Sequence, residues 1–245
     1  MVLECTINDP SAPIQFTPPP EPVPALAVFT RTAAPGLTKT RLIPLLGARG
    51  AAALHAAMVA DTLRKVESLP AEIARYVVFA RAPIAGLPPH FIVRRQSGRD
   101  LGERLEQSFR ALLRQHQSAV VIGTDSPLLP PRVLRAAFKE LRISDAVLGP
   151  SLDGGYYLIG LRRQTPGLLR DVRWSTPYAY EDTLGNFVQH GYSCSVLEPC
   201  GDVDLPADVV RLKDTLRQDA RARRLAPATW KFLKPLSDQN LRPAI

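Results

Sequence analysis

The sequence predicts an α/β fold with three layers, α/β/α, built around a mostly parallel, mixed sheet. Its strand candidates are short runs that are apolar almost throughout, such as residues 26–30, 119–123 and 156–161, which is typical of strands covered on both faces. Longer stretches with helical spacing separate these runs, as in successive βαβ units. With 245 residues, of which 45% are hydrophobic, one domain of this class is the simplest arrangement.

Strands and helices alternate from residue 26 to about residue 224. The predicted strands are 26–30, 74–80, 119–123, 145–149 and 156–161, with weaker candidates at 91–96 and 194–199. The predicted helices are 51–67, 101–115, 131–142, 178–190 and 206–221. Ligands of such sheets bind beyond the carboxyl ends of the strands, so we expect the functional residues in the loops that follow them.

The two ends of the chain differ from this alternating part. Residues 1–24 contain seven prolines, which lack the backbone donor of a sheet ladder and disfavour helix, and they predict an extended or disordered leader. We place the folded domain at residues 25–224 and a basic tail at residues 225–245. The net charge of +8 is concentrated toward the C-terminus. Few aromatic residues are interleaved with these cations, so nucleic-acid binding is disfavoured.

The three cysteines are scattered and form no disulfide framework or zinc motif. The N-terminus lacks the basic and apolar regions of a signal peptide, and no uninterrupted apolar run approaches the ~18 residues of a membrane span. We therefore expect a cytoplasmic protein without a membrane anchor.

A cationic loop follows the first predicted strand. It runs from Arg31 to Leu42 and combines a glycine, several hydroxyls and three cations, namely Arg31, Lys39 and Arg41. Glycine permits close backbone approach, free amides donate to anionic oxygens, and the cations neutralise phosphate charge. The loop has neither of the common glycine-rich nucleotide motifs, GxxxxGK[ST] and GxGxxG. A solvated basic turn explains it as well as a phosphate site does.

Aspartates occur in three further loops at predicted strand ends. Asp125 lies in GTDSP, directly after the strand at 119–123, where it can bind Mg²⁺ or Mn²⁺ or simply begin a turn before Pro127. Asp153 lies in the glycine-rich segment DGGYY, which also fits a plain hairpin turn. Asp204 and Asp208 lie in DVDLPAD, where either can cap the next helix or complete a metal site with Asp125.

Taken together, these motifs resemble the nucleotide-diphospho-sugar transferase superfamily, which has the GT-A fold. More narrowly, the chain resembles a bacterial family of small, uncharacterised glycosyltransferase-like proteins, of the DUF2064 type, encoded beside radical-SAM enzymes. The family's first loop reads KxPxPGxxKTRLxPxLG, and the likeness continues through DLGER, GTDSP, LDGGYY, Trp174-Ser-Thr and DVDLPAD, over residues 26 to 215. In this chain, Arg31 replaces the usual lysine and Ala33 the usual proline.

The resemblance implies a role for each motif. The first loop and GTDSP would hold the nucleotide and its diphosphate through Arg31, Gly36, Lys39, Arg41 and Thr124. A divalent cation, Mg²⁺ or Mn²⁺, would bind Asp125, with Asp204 as second ligand. The substrate would contact four further residues: Asp100, Gly154, Gly155 and Trp174. For Trp174 a buried anchor is the favoured alternative, and for Asp100 an acid at a helix start. Asp153 is the candidate for binding or deprotonating an acceptor hydroxyl.

The function we expect is metal-dependent transfer of a sugar from a nucleotide sugar to a small-molecule acceptor. The enzymatic alternative is nucleotidyl transfer from an NTP, as in guanylyltransferases of cofactor biosynthesis, which use the same fold and metal-binding aspartate. Such enzymes often open with a GGxGxRMGxxK-like loop, which this chain lacks. The non-enzymatic alternative is a basic α/β protein that binds nucleic acid or an acidic partner. The sequence does not fix the oligomeric state.

Overall fold

The computed structural model describes residues 22–81 and 86–237. Its strands are β1 (Ala25–Thr30), β2 (Ala74–Phe79), β3 (Ile92–Arg95), β4 (Ala119–Ile122), β5 (Ala146–Pro150), β6 (Tyr156–Leu161) and β7 (Cys194–Val196). Its helices are α1 (Ile43–Glu67), α2 (Leu101–Leu112), α3 (Pro131–Glu140), α4 (Ala179–Gln189), α5 (Pro206–Gln218), α6 (Ala220–Leu225) and α7 (Pro227–Leu233). All the strands predicted from the sequence, including the two weaker ones, are therefore present.

The seven strands form one mixed sheet in the order β3-β2-β1-β4-β6-β5-β7. β6 runs antiparallel to both of its neighbours, β4 and β5, and the other pairings are parallel. The chain proceeds from β1 toward one edge and then returns to place β4 on the other side of β1. This reversal makes a crevice beyond the carboxyl ends of β1 and β4, where open α/β sheets bind their ligands.

Side chains alternate along the strands between two cores, one on each face of the sheet. Leu26 and Val28 face the layer of α1 and α3, whereas Ala25 and Ala27 face the layer of α2 and α4. This alternation follows from the two-residue period of a strand. The three-layer α/β/α fold with a mostly parallel sheet, predicted from the sequence, is confirmed.

The C-terminal segment differs from the expected tail. Residues 227–233 form α7, which packs on α1 in a third apolar cluster that buries Leu233 completely. Asp61 of α1, only 1% exposed, accepts hydrogen bonds from Ala228 N at 2.9 Å and Thr229 N at 2.8 Å. These bonds satisfy donors at the start of α7, so residues 225–237 are docked rather than a free basic tail. Of the predicted leader, residues 1–21 lie outside the described residues.

One helix in the described part, Thr40–Glu67, is long and apolar enough to cross a membrane by length and composition. It includes a short 3-10 turn at its start and changes direction at Gly47, whose φ is 68°. Its apolar side chains belong to the core beneath the sheet on one side and to the α5–α7 cluster on the other. This packing accounts for its apolar composition.

Candidate active site

Four of the loops singled out in the sequence meet at one edge of the sheet. The loop after β1 and the loop after β4 leave this edge side by side, because the two strands are parallel neighbours. The turn at 151–155 joins β5 to the antiparallel β6 at the same edge. The segment after β7 returns there too, since Val203 N donates to Asp125 O at 2.9 Å.

The first loop is closed by its own hydrogen bonds. Thr38 Oγ1 donates to Thr32 O at 2.9 Å and accepts from Ala34 N at 3.4 Å. Gly36 has a φ of 78°, a region that side chains disfavour, which explains glycine at this turn. Lys39 also has a left-handed backbone, with φ at 51°. The loop thus ends in a conformation that non-glycine residues adopt uncommonly.

Lys39 joins the two predicted metal-binding aspartates. Its Nζ lies 2.8 Å from Asp125 Oδ1 and 2.6 Å from Asp204 Oδ1, and it donates to Val203 O at 2.7 Å. The lysine side chain is only 7% exposed, against 46% for Asp125 and 37% for Asp204. Burial lowers the pKa of Lys39, but the two carboxylates outweigh that effect and the net direction is upward. The ammonium is therefore held charged between them.

Asp208 resolves the choice left open for the DVDLPAD segment. Its Oδ2 accepts from Leu205 N at 2.7 Å and from Asp204 N at 3.0 Å, and its Oδ1 pairs with Arg211. Asp208 is thus the residue that stabilises the start of α5. The Asp204 carboxylate does not cap the helix and contacts the cations of the site instead. Arg41 Nη1 lies 3.9 Å from Asp204 Oδ2.

Two more carboxylates border this group. Asp153 Oδ1 accepts from Ser151 Oγ and, at 3.0 Å, from Gly155 N, so one of its oxygens is used to hold the turn. Partial burial, together with the charges of Asp153 and Asp204, raises the pKa of Asp202 to about 6. Three acids close enough to influence one another give this end of the site a strong attraction for cations.

A cleft of about 390 Å³ opens next to these acids. Its polar wall includes Asp153, Asp202 and Asp204, and its apolar wall includes Leu152 and Leu205. Both leucines are unusually open to solvent, at 76% and 50% exposed. The cleft is large enough for a small molecule with an apolar part, since small-molecule pockets usually begin at ~300 Å³.

Asp100 and Trp174 lie together at the start of α2. Asp100 Oδ1 accepts from Glu103 N at 2.9 Å and caps that helix. Trp174 packs edge-on against Tyr156, with ring centroids 6.1 Å apart, as part of the core beneath α2 and α4. A Cβ at Gly102 would lie 2.9 Å from Trp174 Nε1, so the indole abuts the helix backbone. Both residues have structural partners, and their substrate role stays a prediction without a contact that supports it.

The two glycines after Asp153 shape the turn. Gly154 has a φ of 87°, and a Cβ on it would lie 2.1 Å from Pro177 O. Its carbonyl accepts from Tyr180 N at 3.0 Å, which ties the turn to the first turn of α4. Close backbone approach therefore explains Gly154. Gly155 donates its N–H to Asp153, so both glycines already serve to build the turn.

Sequence reasoning gave no role to His55, which lies directly beneath the first loop. His55 Nε2 donates to Arg31 O at 3.0 Å, and its Nδ1 has no hydrogen-bond partner among the described residues. Burial lowers the pKa of His55. No local motif marks this residue, because its partner comes from another element. Arg31 itself is exposed.

The residues present supply two of the ligands that a divalent cation needs. Asp125 and Asp204 offer the oxygen ligands that Mg²⁺ and Mn²⁺ prefer, and both contact a single cationic nitrogen. Within residues 22–81 and 86–237, no group of three acidic, histidine or cysteine side chains forms a ligand set. An ion here would therefore need oxygens from a bound ligand, as Mg²⁺ commonly does.

Comparison with known proteins agrees with the fold. A family model described as "Uncharacterized protein conserved in bacteria (DUF2064)" matches residues 58–176. A crystal structure from Desulfovibrio desulfuricans G20, of a protein provisionally named a nucleotide-diphospho-sugar transferase, is 28% identical to this chain. That comparison covers 89% of this chain and 96% of the other, with a TM-score of 0.79. A search of curated proteins gave no match.

Two more distant structures share the fold alone. The 4-diphosphocytidyl-2C-methyl-D-erythritol synthase of Anaerococcus prevotii DSM 20548 is 12% identical, with a TM-score of 0.53 over 79% of this chain and 96% of that chain. A CMP:2-keto-3-deoxy-manno-octonic acid synthetase solved with CTP is 13% identical, with a TM-score of 0.51 over 80% and 99%. The chain therefore has the fold of the nucleotide-diphospho-sugar transferases, and its residues 58–176 match the family model DUF2064.

Proposed function

We propose that this protein transfers a sugar from a nucleotide sugar to a hydroxyl group of a small-molecule acceptor. The observation that carries the proposal is that Lys39 Nζ lies within 2.8 Å of a carboxylate oxygen of both Asp125 and Asp204, at the switch point of the sheet. Cations and metal-binding carboxylates at this place suit a ligand with a diphosphate group. The Desulfovibrio relative, at 28% identity, supports the same class of reaction.

The departing nucleoside diphosphate would be bound by the first loop. Lys39, Arg31 and Arg41 would supply the cations, and Gly36 would let the backbone approach the phosphates. A divalent ion bound to Asp125 and Asp204 would supply further positive charge to the leaving group. Groups fixed in place where charge develops stabilise the transition state more than the ground state, which is what accelerates transfer.

The acceptor would enter the cleft beside Asp153. Asp153 Oδ2 makes no hydrogen bond within the described part of the chain, whereas Oδ1 is held by Ser151 and Gly155. A carboxylate fixed through one oxygen can receive a proton on the other without moving. We assign Asp153 to the acceptor hydroxyl on this basis, and transfer that is unaffected by Asp153→Asn would contradict the assignment.

Nucleotidyl transfer is the second candidate, favoured by the Lys39-Thr40-Arg41-Leu42 segment, which resembles the KSRL-like loop of phospholactate-type guanylyltransferases. The two reactions differ in their products. Sugar transfer releases a nucleoside diphosphate, whereas nucleotidyl transfer from an NTP releases pyrophosphate. The missing GGxGxRMGxxK-like loop favours sugar transfer.

Thermal stability with a panel of ligands tests the proposal. NTPs, nucleoside diphosphates and nucleotide sugars are added singly, with and without Mn²⁺, to the wild type, to Asp125→Asn and to the surface control Asp214→Asn. A nucleotide sugar at ~100 times its dissociation constant adds about 2.7 kcal/mol to the free energy of unfolding. We expect this Mn²⁺-dependent gain in the wild type and in Asp214→Asn but not in Asp125→Asn. A gain with NTPs alone would favour nucleotidyl transfer instead.

A further inference from the structure

The ammonium of Lys39 contacts the two carboxylates that would bind a metal ion here. Asp125 Oδ1 and Asp204 Oδ1 both bond to this one nitrogen, at 2.8 and 2.6 Å. A divalent cation that used the same two oxygens would compete with the ammonium for their lone pairs and would be repelled by its charge. Lys39 and a divalent cation therefore compete for this pair of oxygens.

We infer that Lys39 is the internal counter-ion of the two metal-binding carboxylates, and that the nucleotide's phosphates must draw it away before the divalent cation binds there. The inference rests on the proposed function, since it assigns an order of binding to the same site. The side chains of Asp125 and Asp204 are 46% and 37% exposed, so an ion from solvent can reach them. The Lys39 side chain contacts them from the protein interior and is only 7% exposed. Access is thus limited by the lysine and not by burial of the aspartates.

Phosphate oxygens are the natural competitors for this ammonium. Lys39 ends the loop that contains Gly36, and its backbone already has the left-handed conformation of a tight turn. Small dihedral changes in such a loop are enough to re-aim a long, flexible side chain. Once Lys39 bonds to phosphate, Asp125 and Asp204 lose their neutralising charge and become ligands for a cation.

The exchange makes nucleotide and metal bind cooperatively. Each ligand favours the arrangement with Lys39 away from the carboxylates, so each must raise the affinity of the other by the same factor. Asp153 and Asp202 line the same cleft as Asp204 and add to the attraction for the incoming ion. In the absence of nucleotide the lysine satisfies this charge, and the metal alone should bind weakly.

Mn²⁺ titration of the ligand-free protein, followed by electron paramagnetic resonance, tests the inference directly. The variants are Lys39→Met, which keeps the length and apolar stem but removes the charge, and Lys39→Arg, which keeps the charge. We expect Lys39→Met to bind Mn²⁺ about tenfold more tightly than the wild type, within the usual range of such couplings. Lys39→Arg should remain weak, and adding Asp125→Asn to Lys39→Met should abolish the gain.

Thermal unfolding provides a second readout that does not need activity. Lys39→Met leaves two facing carboxylates without a counter-ion, so its melting temperature should fall without metal and recover on addition of Mn²⁺. Equal Mn²⁺ affinity in the wild type and Lys39→Met would overturn the inference, even if nucleotide sugars bind. A gain in Lys39→Met with no binding of any nucleotide sugar would uphold the inference and refute the proposed sugar transfer.

Discussion

Two acidic regions looked alike in the sequence and differ in the structure. The first joins Asp125 and Asp204 through Lys39, and both carboxylates are partly exposed. The second places Asp100 beside Trp174, where the carboxylate accepts a backbone N–H at the start of α2. The difference lies in the partner: the fold already satisfies an acid bonded to a helix N-terminus, whereas acids paired with a side-chain ammonium can exchange that partner for a ligand.

The largest effect is expected at the first region. Asp125→Asn keeps the shape of the side chain but removes the charge needed to bind a cation and to balance Lys39. We expect kcat to fall by about 10²–10³, the usual consequence of losing one preorganised electrostatic contact. Initial rates of nucleoside diphosphate release measure this, with Asp214→Asn as a matched surface control. A rate within twofold of the wild type would mean that the metal role belongs elsewhere.

The turn between the two regions provides the next test. A Cβ at Gly154 would lie 2.1 Å from Pro177 O, and its φ of 87° is unfavourable for alanine. We expect Gly154→Ala to lower the free energy of unfolding by about 1–3 kcal/mol. Urea denaturation measures the loss, and Gly185→Ala is the control because a Cβ there meets nothing within 4 Å. Equal stability of the two variants would contradict the close approach of the turn to Pro177.

The second region should respond in stability rather than in activity. Asp100→Ala removes the cap on Glu103 N and should cost about 1 kcal/mol of unfolding free energy. Asp100→Asn, which retains an accepting oxygen, should cost less. Both variants should keep the wild-type KM and kcat. A large rise in KM with unchanged stability would restore Asp100 as a substrate-binding residue and remove the contrast between the two regions.

The smallest effect concerns His55 beneath the first loop. Burial lowers its pKa, so the unfolded chain takes up a proton more readily than the folded one as the pH falls below about 6.5. The resulting loss of stability is at most about 1.4 kcal/mol per pH unit for one group. Urea midpoints between pH 7.5 and 5 should therefore fall less steeply in His55→Gln than in the wild type. Parallel curves would show that this histidine does not contribute.

The sequence alone determined most of the fold. Apolar runs predicted the strands, and helical spacing predicted most of the helices, because both patterns are local properties of the chain. The docking of α7 on α1 was missed, since it depends on Asp61 accepting from Ala228 and Thr229, far along the chain. A basic composition gave no indication of that contact.

For the site, the sequence alone supplied the loops and the resemblance that linked them. Only the tertiary structure decided which acids cap a helix and which do not. Asp100, Asp204 and Asp208 are equally plausible caps until their backbone partners are known. It also decided that Lys39 bonds to Asp204, 165 residues away. Local patterns cannot encode such a pairing. It exists because a parallel sheet brings the carboxyl ends of distant strands to one edge.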